Sequence, residues 1–238
     1  MQPAQALATL IDRHQPQDGA RETMLPGVGL IRASERTELA DTTYPPSCCL
    51  IGQGRKHVRM AGRDLVYDTG HYLVVGVELP ALGAVIEASP DLPYLCLKVE
   101  LDRALIGELV AGHAPEPPPP PHATAVVEVA PDLLDTAVRL LRLLDDPREA
   151  EALAPLVLRE FHWRLLNGPQ GPLIHAIAAP GSRVGRIAQA VDHLTRHFQE
   201  PLDVGALARL TGMSRSSFFA QFRAGTAMTP LQYRTRLR

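Results

Sequence analysis

The C-terminal part of the chain contains the segment Asp203-Val-Gly-Ala-Leu-Ala-Arg-Leu-Thr-Gly-Met-Ser-Arg-Ser-Ser-Phe-Phe-Ala-Gln-Phe222. Asp203 and Ser214 are good N-caps, so each is expected to open a helix. Gly212 can take the positive φ of a tight turn between the two helices. The second helix carries two aromatic residues at a spacing of four, Phe218 and Phe222. This order predicts a helix-turn-helix, in which the second helix enters the major groove of DNA; the alternative is an ordinary pair of packed helices.

A further helix is predicted on each side of this stretch. Upstream, apolar residues recur at spacings of three and four before Pro201, which ends the helix; they are Ile187, Val191, Leu194 and Phe198. Downstream, Thr229 is an N-cap, Pro230 takes the first helical position and Gln232 can complete a capping box. This last helix offers three arginines to phosphates, Arg234, Arg236 and Arg238.

The charge of the chain is unevenly distributed. Residues 181–238 contain nine arginines and no lysine against three carboxylates, which gives this end a net charge of +6. The whole chain has a net charge of −2, so the remainder carries −8. A basic end on an acidic body is typical of a nucleic-acid-binding module joined to a separate domain. The alternative is a chance charge on a solvated helical surface.

The first half of the chain reads as short strands after a short helix over about 4–13. Stretches rich in β-forming residues are separated by Gly and Pro turns, which predicts a sandwich or a small barrel. The predicted strands lie at 28–32, 48–51, 57–60, 72–75, 84–87 and 94–99.

From Leu101 onward the pattern becomes helical. Helices are predicted at 102–110, 131–144, 155–166 and 173–179. The proline run at 115–121 is interpreted as an exposed polyproline II spacer or loop. Residues 178–182 are a candidate linker between domains.

Several sequence segments resemble those of the AraC/XylS family of transcription regulators. The C-terminal phrases look like the first helix-turn-helix of that family; they are Pro201-Leu-Asp-Val-Gly-Ala-Leu-Ala208, Gly212-Met-Ser214, Ser216-Ser-Phe218, Phe222, Thr226-Ala-Met-Thr-Pro-Leu-Gln-Tyr233 and Arg236-Leu-Arg238. The N-terminal part is similar to one branch of the family through Tyr44-Pro-Pro, Gly52-Gln-Gly-Arg-Lys56, Tyr67-Asp-Thr-Gly-His-Tyr-Leu73, Glu78-Leu-Pro80 and Arg164-Leu-Leu-Asn-Gly-Pro169. The resemblance covers roughly residues 22–238.

The resemblance implies an α+β fold, in which a cupin-like β-barrel with a helical extension precedes an all-α helix-turn-helix domain. It implies an N-terminal extension at 1–21, a sensor or dimerisation domain at 22–178 and a DNA-binding domain at 179–238. Such regulators join two helix-turn-helix units by a long helix. This sequence ends within what should be that helix, so the DNA-binding domain is expected to be incomplete. One unit alone is expected to bind DNA weakly unless the protein dimerises, because affinity falls as phosphate contacts are removed.

The function implied is sequence-specific binding of double-stranded DNA at a promoter or operator by a homodimer that responds to a small-molecule effector. No catalytic activity and no cofactor are expected. The residues expected at DNA are Ser214, Arg215, Ser216, Ser217, Phe219, Ala220, Gln221, Arg223, Thr229 and Arg234.

This chain departs from the family at Phe219 and Ala220, where relatives commonly present polar base readers. Bidentate hydrogen bonding is lost there, although Phe219 can contact a thymine methyl group. Base reading would then rest on Arg215, Ser216 and Gln221. Arg223 is expected at a phosphate.

Nothing in the N-terminal part names an effector. His57, His71 and Glu78 invite a metal interpretation, but the histidine spacing of metal-binding cupins is missing, so no metal site is predicted. Arg55-Lys56 either attracts an anionic ligand or forms the charged turn of a hairpin.

The three cysteines are Cys48, Cys49 and Cys96. They act either as a redox or electrophile sensor or, as is commoner on strands, as small hydrophobic residues of the core. Their odd number argues against a disulfide framework. With no signal peptide and no membrane segment visible, a cytoplasmic protein is expected.

Two alternatives to the DNA-binding regulator remain open. One is a truncated regulator that acts through heterodimerisation without tight DNA binding. The other is a cupin-type small-molecule enzyme, although no arrangement of nucleophile and base with a recognisable local context is present.

Overall fold

The computed structural model describes residues 3–111, 123–179 and 181–237. Within these ranges the strands are β1 Gly19–Glu22, β2 Val28–Ala33, β3 Ala40–Tyr44, β4 Ser47–Gln53, β5 Arg55–Met60, β6 Arg63–Asp68, β7 His71–Val75, β8 Leu79–Glu87, β9 Tyr94–Glu100 and β10 Thr124–Glu128. The α-helices are α1 Pro3–His14, α2 Arg103–Val110, α3 Pro131–Arg142, α4 Pro147–Leu166, α5 Gly171–Ala178, α6 Arg183–Arg196, α7 Val204–Leu210, α8 Arg215–Thr226 and α9 Pro230–Arg236. A short 3₁₀ helix, Leu143–Asp145, precedes α4. The predicted proline spacer at 115–121 lies outside the described residues.

The strands form two antiparallel sheets. One sheet has the strand order β1-β2-β9-β4-β7-β10, and the other has the order β3-β8-β5-β6. On β4, alternate residues face opposite sides of the sheet. A Cβ at Gly52 would lie 3.1 Å from the backbone nitrogen of Ala8, so α1 covers the outer side. Cys49 and Ile51 therefore point into the space between the sheets.

The helix α1 is an integral part of this domain. Its Leu7 and Ile11 are buried in the same core as the sheets, and the helix contacts α3 as well as β4. The predicted helix over 4–13 is therefore present, and its amphipathic face covers the sheet.

The predicted class, an N-terminal β domain followed by an all-helical C-terminal region, is confirmed. All six predicted strands are present. The strands that sequence analysis missed are β1, β3, β6 and β10, and each is an edge strand of its sheet. An edge strand pairs on one side only and buries little, as the fully exposed β1 illustrates, so its apolar pattern is weak.

The predicted helix over 155–166 is longer than expected. It begins at Pro147, because Asp146 accepts hydrogen bonds from the amides of Arg148 and Glu149 and Pro147 takes the first helical position. Pro155 lies inside this helix, on an exposed face. Proline there removes one backbone hydrogen bond without ending the helix.

The C-terminal helices have a core of their own. Ile187, Val191, Leu207, Phe218, Phe222 and Tyr233 are among its buried members. The helix α6 belongs to both cores, because Val184 and Ala188 pack with the two-sheet domain. This helix ends at Arg196, before Phe198, so the expectation that Phe198 would continue its apolar face and that Pro201 would end it is wrong.

Candidate DNA-binding surface

The turn between α7 and α8 is fixed by local hydrogen bonds. Asp203 Oδ1 accepts from the Ala206 amide at 3.0 Å, and Ser214 Oγ accepts from the Ser217 amide at 3.2 Å. Gly212 has a φ of +64°, which favours glycine. The Met213 amide donates to the Ala208 carbonyl at 2.9 Å. These contacts set the angle between the two helices, as the sequence predicts.

Three aromatic rings hold α8 from behind. The ring centroids of Phe218 and Phe222 are 5.5 Å apart. Phe222 meets Tyr233 of α9 edge to face at 5.7 Å. All three side chains are fully buried. Because its inner face is fixed in this way, the opposite face of α8 is held in one orientation.

The opposite face of α8 is open to solvent. Its exposed residues are Arg215, Ser216, Phe219, Ala220, Arg223 and Ala224. Phe219 is 42% exposed, an unusual position for a large apolar side chain. Among the described residues, no carboxylate lies within salt-bridge distance of the Arg223 guanidinium. We call this face the open face of α8.

Two predicted DNA contacts, Ser217 and Gln221, lie on a different side of α8. Gln221 Nε2 donates to Ser217 Oγ at 2.9 Å. Gln221 lines a small gap with Val77 and Ala123 of the two-sheet domain, and its Oε1 is buried with no hydrogen-bond partner among the described residues. The expectation that Gln221 reads bases is therefore not matched by its position, because it is half-buried against the body of the protein.

Ser214, Thr229 and Arg234 make intramolecular contacts. Ser214 caps α8 as described above. Thr229 Oγ1 accepts from the Gln232 amide while Gln232 Oε1 accepts from the Thr229 amide, which completes the predicted capping box. Arg234 Nη1 donates to the carbonyl of Glu200 at 3.1 Å.

Arg215 lies over the start of α7. A Cβ at Gly205 would come within 2.7 Å of Arg215 Nη2 and 3.0 Å of Asp203 Oδ1. The backbone N–H of Ala206, together with the charges of Arg209 and Arg215, lowers the pKa of Asp203. Gly205 therefore makes room for Arg215, a role that no sequence signal indicated because it depends on a contact between two helices.

Polar contacts between described residues attach the C-terminal helices to the two-sheet domain through other faces. Glu78 is central, because its carbonyl accepts from Tyr233 Oη and its Oε1 from Thr195 Oγ1, both at 2.8 Å. The two ion pairs are Arg236–Asp41 and Arg103–Asp192. These contacts use α6 and α9, so they leave the open face of α8 uncovered.

The histidines considered for a metal are dispersed. His57 Nε2 lies 2.7 Å from Asp64, and His71 Nδ1 lies 2.8 Å from Asp68. Glu78 is engaged at the domain contact. No group of three or more His, Cys, Asp or Glu residues suited to a metal ion occurs in the described ranges.

All three cysteines are free and buried. In the described part of the chain, no helix is both long and apolar enough to cross a membrane.

Comparisons with known proteins identify the family to which the chain belongs. The sequence profile of the AraC-type transcriptional regulator N-terminus matches residues 24–173. A comparison with curated protein sequences gives no match.

Among solved structures, the chain is similar to a lysine-to-alanine variant of apo ToxT from Vibrio cholerae strain SCE256. The TM-score is 0.45 and the sequence identity is 8%, and the match covers 92% of this chain and 100% of the ToxT chain. It is also similar to the AraC-like transcriptional activator CuxR, with a TM-score of 0.35 and 13% identity over 90% of this chain and 76% of that chain. These two likenesses are distant. The profile, by contrast, matches more than half of the chain and describes regulators, not enzymes. The protein therefore belongs to the AraC-type family of transcription regulators.

Proposed function

We propose that this regulator binds double-stranded DNA sequence-specifically, with α8 in the major groove. The observation that carries the proposal is the open face of α8, which is held from behind by buried aromatic rings and left uncovered by the described residues of the two-sheet domain. The net charge of +6 over residues 181–238 supplies the electrostatic attraction to phosphates that such binding requires. In this proposal residues 179–238 form the DNA-binding domain, residues 22–178 the cupin-like sensor and dimerisation domain, and residues 1–21 the N-terminal extension.

The residues of the open face divide by chemistry. Ser216 and Arg215 offer hydrogen bonds to base edges, and Phe219 offers an apolar surface to a thymine methyl group. Arg223, further along the helix, is proposed to contact a phosphate. With Gln221 turned inward, base reading depends on fewer polar groups than the sequence indicated.

Selection from a random duplex library tests this proposal. The protein should enrich a defined motif, and Ser216→Ala or Phe219→Ala should relax the preference at individual positions. Arg36→Ala removes an exposed arginine of the loop between β2 and β3, away from both α8 and α4, and serves as the matched control. Enrichment of no motif, or equal effects from Arg36→Ala, would refute it.

A homodimer is proposed through α4. This helix exposes Leu153, Leu156 and Trp163, of which Leu156 is 63% exposed. Exposed apolar residues on one helix are typical of a protein interface. Leu156→Asp should shift the protein from dimer to monomer in sedimentation experiments. Leu231→Asp is the matched control on α9, because Leu231 is similarly exposed; if it alone abolishes the dimer, the interface lies elsewhere.

A further inference from the structure

The interior of the two-sheet domain contains a charged group. On β5, Lys56 lies on the same side as the buried Val58 and Met60. Its Nζ is 5.3 Å from the ring centroid of Tyr44 and 5.7 Å from that of Tyr94. Within the described ranges, no carboxylate lies within salt-bridge distance of this Nζ. Lys56 is therefore a largely enclosed cation between two aromatic faces, without an anionic partner.

Three tyrosine hydroxyls around Lys56 are also without partners. The hydroxyl oxygens of Tyr44, Tyr67 and Tyr94 are buried and make no hydrogen bond in the described structure. The three side chains are at most 6% exposed. A buried hydroxyl without a partner costs about 1–3 kcal/mol, so three in one place are unusual in a protein core. Together with Lys56 they form what we call the interior cluster.

The groups of the interior cluster are hydrogen-bond donors. Burial raises the pKa of Tyr67 and of Tyr94 well above its usual value, and it raises that of Tyr44 as well, so each phenol keeps its proton at neutral pH. Burial opposes the charge on Lys56, but the nearby phenol oxygen of Tyr44 outweighs it, and the pKa of Lys56 is raised. The Tyr44 oxygen can satisfy one of the three ammonium protons, so the other ammonium protons and the phenol protons still require acceptors.

The other titratable groups near the cluster are two cysteines. Cys49 and Cys96 lie on the neighbouring strands β4 and β9, with their side chains on one face. A hydrogen bond from Cys96 and the charge of Lys56 lower the pKa of Cys49, against the effect of burial. Among the described residues beside the interior cluster, Cys49 is the group that would compete with a ligand for Lys56 when it ionises.

We propose that the interior cluster is an effector site for a small organic carboxylate, whose oxygens accept hydrogen bonds from Lys56 and the tyrosine hydroxyls. A carboxylate supplies the missing negative charge and up to four acceptor positions in one group. A neutral sugar or an alcohol would leave the charge of Lys56 uncompensated. The proposal rests on the sensor role of the two-sheet domain, and it adds the chemical class of the effector.

Binding is tested on the full chain with acetate and benzoate, using acetamide and benzamide as neutral counterparts. A saturable rise in melting temperature with at least one carboxylate, and none with its amide, is expected. Lys56→Met should weaken the carboxylate response about tenfold or more, because hydrogen bonds to charged groups are the stronger ones. Arg55→Met, which removes the neighbouring cation on the outer face, should leave the response unchanged.

Substitution of the tyrosines distinguishes ligand binding from a purely structural role of their hydroxyls. Tyr67→Phe removes an unpaired buried hydroxyl, so the ligand-free protein should melt at a higher temperature while the carboxylate response falls. Tyr72→Phe is the matched control, because its hydroxyl lies near Gly168 on the outer side of the sheet. No response to either carboxylate, an equal response to the amides, or ultraviolet absorbance of a Cys49 thiolate that is lost in Cys49→Ala would overturn the proposal. Because this readout needs no DNA, carboxylate binding without a DNA motif would refute the proposed function alone.

Discussion

Two positive charges without carboxylate partners, Arg223 on the open face of α8 and Lys56 in the interior cluster, show how differently the two regions of this molecule meet a ligand. The Arg223 guanidinium is solvated, so its charge costs little free energy in the absence of a bound phosphate. The Lys56 ammonium has lost most of its hydration, so burying its charge without an anionic partner costs substantial free energy. An exposed charge suits a large polyanion that arrives from outside, whereas an enclosed charge selects a small ligand of defined chemistry.

The largest expected effect concerns the support behind the open face. Phe222→Ala should destabilise the C-terminal helices by about 3–5 kcal/mol, because it opens a cavity where Phe218 and Tyr233 meet. Phe219→Ala, on the open face, should change the free energy of unfolding by no more than about 0.5 kcal/mol. Chemical denaturation of both variants checks this contrast. Equal losses would mean that the two faces of α8 are not distinct.

A smaller effect is expected at the start of α8. Ser214→Ala removes the oxygen that accepts the Ser217 amide and should cost about 1 kcal/mol. Ser216→Ala removes a hydroxyl that lies 3.2 Å from Ser214 Oγ but leaves the acceptor of the Ser217 amide in place, so it should cost clearly less. Thermal denaturation distinguishes them, and a larger loss in Ser216→Ala would contradict the assignment of the cap.

The contribution of Arg223 should be seen in the salt dependence of DNA binding. If Arg223 contacts one phosphate, Arg223→Ala should reduce the slope of log affinity against log salt concentration by about 1. Fluorescence anisotropy over a series of salt concentrations measures the slope. An unchanged slope would mean that Arg223 contacts no phosphate, and the contrast with Lys56 would no longer hold.

The smallest effect concerns a surface cluster in which every charge is paired. On α4, Glu160 accepts from Arg139 and Arg164, and the Arg139 hydrogen bond is the largest cause that lowers the pKa of Glu160 to about 2. Because the folded-state pKa is depressed, this stabilisation is complete above the ordinary glutamate pKa and is lost as the pH falls toward 2. The difference in melting temperature between the wild type and Glu160→Gln should therefore shrink over that range. A constant difference would exclude the ionised pair as its cause.

Sequence reasoning succeeded where the determinants are local. The caps Asp203, Ser214 and Thr229 and the turn at Gly212 depend on neighbours within a few residues, and each is present as predicted. Gln221 was expected to face DNA, but it lies beside Val77 of the two-sheet domain. This contact joins residues that are distant in sequence, so no local pattern could predict it. The cues for a helix-turn-helix describe the turn, not which side of α8 the rest of the protein covers.

The interior cluster was visible in the sequence only in part. Arg55-Lys56 was considered either an anion-attracting pair or a charged turn, and the structure places both residues on β5, with Arg55 outward beside Asp68 and Lys56 inward. The alternation of Lys56 with Val58 and Met60 was the available signal. The convergence of tyrosines from β3, β6 and β9 depends on strand order, which a single sequence does not specify.

Site-specific photo-crosslinking shows whether the open face of α8 contacts DNA. Phe219→p-benzoylphenylalanine places the probe on the open face, and the same replacement at the exposed Val66 of β6 places it on the two-sheet domain. With duplex selected from a random library, we expect a protein–DNA crosslink from position 219 and none from position 66. A crosslink from position 66 alone, with the same DNA bound, would contradict it.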